Sequence, residues 1–115
     1  MTQQDDDINT RLIALYADYQ QQLPERIRYI VQQFEMYCAP SSSPTALSNL
    51  HHALHQLAGS GATFGHTELG SIARRWEHLT GSLLKASAAA SLPQQQEMRS
   101  LLVQLSRAAT FLDES

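Results

Sequence analysis

Residues 44–65 read PTALSNLHHALHQLAGSGATFG, and the leucines in this stretch recur at the three- and four-residue spacing of an α-helix. Ser43 and Pro44 fit the cap and the first position of such a helix, because the missing N–H of proline would have no helical partner there. Gly65 fits the position that ends it. We therefore predict a helix over residues 44–64. Its buried face consists of Leu47, Leu50, Leu54 and Leu57.

The same apolar periodicity marks four further segments. They predict helices over residues 7–20, 24–38, 67–85 and 92–113. Pro24 fits the first turn of the second helix, and Ser91 with Gln94 three residues later resembles a capping box before the last. The connections are short, which favours antiparallel neighbours. The predicted fold is all-α: an up-and-down antiparallel four-helix bundle with an additional N-terminal helix, in a single domain over residues 1–115.

The composition is that of an ordinary globular chain: 115 residues, 43% hydrophobic and 17% charged. The net charge of −3 and the lack of a basic block argue against a nucleic-acid partner. No apolar run approaches the roughly 20 residues of a membrane span, and the polar start of the chain is not a signal peptide. A single cysteine, Cys38, excludes an internal disulfide and is expected to be a small buried hydrophobe. We expect a cytoplasmic monomer that binds neither membrane nor nucleic acid.

Helical geometry singles out His55 among the five histidines of the chain. At 100° per residue, His55 points roughly 120° away from the leucine face, and Gly59 and Ala62 lie beyond it on the same exposed strip. A glycine inside an exposed helix costs roughly 1 kcal/mol relative to alanine. Close helix packing explains Gly61, which faces the core, but it does not explain Gly59. The close approach of another protein beside His55 would explain it.

Histidines four residues apart, such as His51 and His55, can also bind a metal. Zinc sites normally need further ligands, and no spacing in this chain supplies a nearby cysteine or carboxylate. We therefore predict no metal site.

The eleven residues HQLAGSGATFG, 55–65, resemble the motif of the histidine phosphotransfer (HPt) domain family. That motif has a histidine, an apolar residue two positions later, a glycine four positions later, small residues and a closing glycine. Leu69, Ala73 and Glu77 continue the family-like pattern, and the resemblance spans roughly residues 8 to 112. It implies a single HPt-like domain of a two-component phosphorelay, in which His55 carries a phosphoryl group between receiver-domain aspartates.

The resemblance also implies a phosphocarrier rather than an enzyme. In this family the partner receiver domain supplies Mg²⁺ and its own catalytic residues, so no cofactor is expected on this chain. The implied partners are a response-regulator receiver domain and a hybrid sensor histidine kinase. The residues expected to dock the partner are Gln56, Gly59 and Ala62.

One position departs from the family pattern. Most members carry a lysine three residues after the histidine, where it can face the phosphoryl group, and this chain has Ala58. Arg75 is a candidate substitute, since it lies near the level of residue 55 on a flank of the next helix, whereas Arg74 points more outward. Ala58 also leaves open an alternative function, an HPt-like interaction module that regulates a kinase or receiver without being phosphorylated.

Overall fold

A computed structural model describes residues 3–40 and 44–113, which form four α-helices. They are α1 (Gln3–Cys38), α2 (Ala46–Thr63), α3 (Thr67–Ala86) and α4 (Leu92–Asp113). Each helix contacts the next along the chain, and α4 contacts α1, so the four close into an up-and-down bundle. The predicted all-α bundle is confirmed for the described residues. None of their helices is long and apolar enough to cross a membrane.

The predicted additional N-terminal helix is wrong, because residues 7–20 and 24–38 belong to one continuous helix, α1. Pro24 lies inside it, although proline removes a helical hydrogen bond and crowds the preceding turn. The side chains of Tyr19 and Leu23 before the proline, and of Ile30 after it, are buried on the same face. Burial of this stripe against the bundle offsets the local cost of the proline.

The first turns of α1 extend past the end of the bundle and do not pack over it. Tyr16 packs edge-on against Phe64, just past the last turn of α2. Residues before Tyr16 extend beyond that point, and Ile8 and Leu12 are about half exposed, at 48% and 46%. The apolar periodicity of this segment is therefore helical but does not form core.

The turn between α2 and α3 depends on Gly65. Its φ of +79° lies in the left-handed region, which glycine adopts without strain. The Gly65 N–H donates to the carbonyl of Ala62 at 3.3 Å, and the His66 N–H donates to that of Gly61 at 2.8 Å. This pair of bonds is a Schellman motif, which satisfies carbonyls left free at the helix end. The predicted stop at Gly65 is confirmed.

The other predicted helix boundaries have separate outcomes. α2 begins at Ala46, so Pro44 precedes the helix rather than occupying its first position, and the predicted cap Ser43 lies outside the described residues. At α4 the capping box is confirmed. The Ser91 N–H donates to Gln94 Oε1 at 2.8 Å, and the Gln94 N–H donates to Ser91 Oγ at 3.3 Å.

The core contains the predicted leucine face of α2: Leu50, Leu54 and Leu57 are at most 1% exposed and Leu47 is 9% exposed. Trp76 of α3 is fully buried beside them and packs edge-on against Phe34 of α1, with 5.5 Å between ring centroids. Its Nε1 has no hydrogen-bond partner among the described residues.

Two glycines bring α2 and α3 into close contact. A Cβ atom on Gly61 would lie 3.1 Å from the Cα of Gly70, and one on Gly70 would lie 3.2 Å from the carbonyl oxygen of Ala58. Neither position has room for a side chain without a backbone shift. Close packing at Gly61 is therefore confirmed, and it fixes which residues of α3 meet which residues of α2.

Candidate functional site

His55 lies on the exposed strip of α2, as the helical geometry predicted. Its side chain is 70% exposed. The neighbouring residue Leu54 points into the core and is fully buried, so the backbone that carries His55 is fixed by core packing. The imidazole is thus held on a rigid helix with one side open to solvent and to a partner.

Glu77 of α3 fixes the orientation of the imidazole. Its Oε1 lies 2.7 Å from Nδ1 of His55, and its side chain is only 19% exposed. A carboxylate can only accept a hydrogen bond, so Nδ1 carries the proton and donates it to Glu77. The second ring nitrogen, Nε2, then holds a free lone pair in the neutral imidazole. The pair defines the tautomer and leaves Nε2 as the ring nitrogen with an open lone pair.

His51 lies one turn before His55 and also makes a hydrogen bond from α2 to α3, along the line of contact between the two helices that we call the seam. Its Nδ1 is 2.9 Å from Oγ1 of Thr80, a fully buried residue. The Thr80 hydroxyl donates its single proton to the carbonyl of Glu77 at 2.9 Å, so it accepts from His51. His51 therefore supports the turn of α3 that presents Glu77.

The close packing of His51 depends on Gly81. A Cβ atom on Gly81 would lie 3.1 Å from Cε1 of the His51 ring, so the imidazole rests directly on this glycine.

No three His, Cys, Asp or Glu side chains are grouped as metal ligands in the part of the chain that the structure describes.

The expected docking residues surround His55 on its exposed side. Gln56, Gly59 and Ala62 are all exposed. A Cβ atom on Gly59 would meet nothing within 4 Å, in contrast to Gly61 on the core side of the same helix. The surface beyond the imidazole therefore has no bulky side chain at Gly59, and this leaves room for a docking partner.

Arg74, and not the predicted Arg75, lines the groove between α2 and α3 next to the site. A groove of about 280 Å³ between α2 and α3 is lined by Ala58, Ala62, Thr67, Gly70, Ser71 and Arg74. Arg74 lies three residues before Glu77, on the flank of α3 that faces α2. Arg75 is 100° further round the helix and does not line this groove. Arg74 rather than Arg75 therefore lines this groove, and the role of Arg75 towards a phosphoryl group stays a prediction.

Glu77 was not predicted as a site residue, although the sequence carried a partial signal. An antiparallel hairpin about Gly65 places residue 55 near residue 75, and Glu77 is the acidic residue within one turn of that level. The offset of two residues arises at the turn and at the contact of Gly61 with Gly70, neither of which periodicity alone can supply.

The family model of the Hpt domain matches residues 14–109, most of the chain. The chain belongs to the Hpt domain family, the phosphotransfer modules of two-component signalling that interact with receiver domains. Proteins of this class are phosphocarriers rather than catalysts. No curated protein and no solved structure matches the chain significantly.

Proposed function

We propose that His55 is the phosphoacceptor of a two-component phosphorelay and carries the phosphoryl group between receiver-domain aspartates. The observation that carries this proposal is the exposed imidazole whose Nδ1 is bound by Glu77 at 2.7 Å. This arrangement leaves Nε2 as the reacting atom. The flat, open surface at Gly59 allows a second protein to approach within bonding distance of it.

The transfer step balances without any proton donor or acceptor in solution. The lone pair of His55 Nε2 attacks the phosphorus of an aspartyl phosphate, and the N–P bond forms as the P–O bond breaks. The receiver's aspartate leaves as a carboxylate, while Nδ1 keeps its proton. The positive charge that develops on the ring faces Glu77, whose negative charge stabilises it. The reverse reaction regenerates the neutral imidazole.

Glu77 is a positioning residue in this proposal, since it touches the imidazole rather than the phosphoryl group. It keeps the ring in one orientation, which matters because phosphoryl transfer depends on the alignment of attacking and leaving atoms. The receiver supplies the Mg²⁺, so the chain acts as a carrier and needs no cofactor. The partners are a response-regulator receiver and a hybrid sensor histidine kinase.

The test is labelling of the chain by a panel of phosphorylated receiver domains and, separately, by phosphoramidate, a small donor that needs no protein partner. We expect an acid-labile, base-stable modification, as is characteristic of a phosphorus–nitrogen bond. His55→Gln should abolish it. His52→Gln is the matched control, because His52 is exposed on the same helix, and this variant should be labelled normally.

The outcomes of this experiment separate the two candidate functions. Labelling that persists in His55→Gln would reject the assignment of the acceptor. A chain that binds a receiver tightly and is labelled by neither donor would instead be the unphosphorylated interaction module that Ala58 leaves open.

A further inference from the structure

Arg74 is a free cation in the groove next to the proposed acceptor. The described residues give its guanidinium no hydrogen bond or ion pair, and its side chain is exposed. The one acidic neighbour on its own face, Glu77, is bonded to His55. The guanidinium of Arg74 is therefore available to bind a ligand.

The opposite wall of the groove is Ala58, the position three residues after His55. Ala58 is 1% exposed, so its methyl group is covered and offers no charge. Residues three apart on a helix share a face. Ala58 therefore lies one turn from His55 on α2, just as Arg74 lies one turn from Glu77 on α3. The two pairs are consecutive levels of the same seam.

We propose that Arg74 supplies, from α3, the positive charge that stabilises the phosphoryl group on His55, and that the small side chain of Ala58 leaves the space through which it reaches. This inference rests on the proposed function of His55. The ligand is the dianionic phosphoryl group, whose oxygens match the planar donors of a guanidinium. The step remains the transfer described above, with Arg74 binding the phosphoryl oxygens and exchanging no proton.

Two other cations are less well placed. Arg75 points to the flank of α3 that faces away from α2. Lys85 lines a second groove, with His51, Glu77 and Gly81, but lies two helical turns beyond Glu77. Arg74 is one turn from Glu77 and shares its groove with the exposed strip of α2 at Ala62.

The test compares the rate of labelling by phosphoramidate and the half-life of the phosphohistidine in Arg74→Ala and in Arg75→Ala. The two substitutions remove the same charge from adjacent exposed positions. We expect about three- to fivefold slower labelling or faster hydrolysis in Arg74→Ala alone, the size typical of an exposed charge pair. The ratio of the wild-type value to the Arg74→Ala value, for the rate and for the half-life, should approach one in 1 M salt, where charges are screened within a few ångströms.

A second variant tests the geometric part of the inference. Ala58→Lys, introduced into the Arg74→Ala background, places a cation on the opposite wall of the same groove and should restore the rate and the half-life. The thermal midpoint should be unchanged in Arg74→Ala, because that side chain is exposed.

The outcomes keep this inference separate from the proposed function. Equal rates and half-lives in wild type, Arg74→Ala and Arg75→Ala would overturn the role of Arg74. The assignment of His55 as the acceptor would still stand if His55→Gln abolishes labelling. An equal loss in both arginine variants would also overturn it, because the effect would then be one of net charge. Failure of the Ala58→Lys rescue, in a double variant that still unfolds cooperatively, would overturn the placement of the cation in this groove. If the buried lysine unfolds the bundle, Arg74→Lys keeps a positive charge on α3 and must retain the rate and the half-life; a loss as large as in Arg74→Ala would overturn the electrostatic role.

Discussion

Nδ1 of His55 donates a hydrogen bond to Oε1 of Glu77 across 2.7 Å, from α2 to α3. The bond joins a side chain that is 70% exposed to one that is 19% exposed, so the imidazole is held from its buried side. A surface histidine without such a partner can rotate and exchange tautomers. In this chain one tautomer and one ring orientation are favoured before any partner arrives.

Replacing Glu77 by glutamine should separate the charge of this residue from its hydrogen bond. The amide oxygen of Glu77→Gln can still accept from Nδ1, but it cannot stabilise the positive charge on the reacting ring. We expect phosphoryl uptake by His55 to slow about three- to tenfold, since hydrogen bonds to charged groups are worth roughly 1 kcal/mol more than neutral ones. Glu77→Ala, which removes both, should be slower still.

The measurement for this prediction is the initial rate of labelling, together with nitrogen NMR of the His55 ring. Glu77→Gln should admit both tautomers, because its amide can accept from Nδ1 or donate to it, whereas the carboxylate of the wild type only accepts; Glu77→Ala should also allow both. Equal rates in all three proteins would show that the carboxylate has no part in transfer.

The two glycines of α2 should respond oppositely to alanine. Gly59→Ala adds a methyl group to open space and should raise the free energy of unfolding by up to about 1 kcal/mol, through helix propensity. Gly61→Ala places its Cβ 3.1 Å from the backbone of Gly70 and should lower it by about 1–3 kcal/mol. Urea denaturation of both variants checks the prediction, and effects of the same sign would contradict it.

A larger residue at position 59 should affect partner binding without harming the fold. Gly59→Glu adds bulk and negative charge beside His55, in the path of a receiver whose own pocket is acidic. Binding and transfer should fall, while the melting temperature is unchanged or higher. Titration with a receiver domain and thermal denaturation give the two values. Normal transfer by the folded variant would place the docking surface elsewhere on the bundle.

Pro24→Ala should stabilise the chain. The substitution restores an N–H inside α1 and relieves the crowding of the preceding turn, for an expected gain of about 1–3 kcal/mol. Pro93→Ala is the control, because Pro93 lies in the first turn of α4, where the N–H has no helical partner. The urea midpoint should rise for the first variant and change little for the second. No gain from Pro24→Ala would contradict the cost assigned to the proline inside α1.

Cys38 provides a prediction about pH. Cys38, which the sequence predicted to be buried, is half-buried. This partial burial raises the pKa of its thiol, and the charge of Arg99 lowers it in part. The folded state therefore favours the protonated form. The resulting stabilisation is complete below the pKa of the unfolded thiol and is lost as pH rises through that of the folded one, from about pH 8.5 upwards.

Alkylation by iodoacetamide checks this shift, since the thiolate is the reactive form. Cys38 should react more slowly at pH 8 in the folded protein than in urea, and its midpoint of reactivity should lie at higher pH when folded. Equal rates in the two states would contradict the shift.

The parts of the fold that depend on neighbouring residues could be predicted from the sequence. The leucine face of α2, the glycine stop at Gly65 and the capping box of Ser91 with Gln94 all arise within a few residues of chain, where propensity and hydrogen bonding decide. The continuity of α1 could not be predicted in this way. Pro24 favours a break locally, and the burial of Leu23 and Ile30 against other helices outweighs it.

The site shows the same division. A helical wheel gives the angle of His55 from the core, and that angle was correct because it depends on α2 alone. The partner residues on α3 depend on which flank of that helix faces α2 and on the contact of Gly61 with Gly70. Periodicity contains neither quantity, so the sequence could not show that Arg74 rather than Arg75 lines the groove, or that Glu77 bonds His55.

The burial of Trp76 gives the chain an optical probe of its own. It is the single tryptophan of the sequence, it is fully buried against Phe34, and it directly precedes Glu77 on α3. An indole in an apolar environment emits at short wavelength, so the tryptophan fluorescence of the unlabelled protein arises from α3, the helix that carries Glu77. Spectral changes during phosphorylation or receiver titration can therefore be assigned to that helix without attaching a dye.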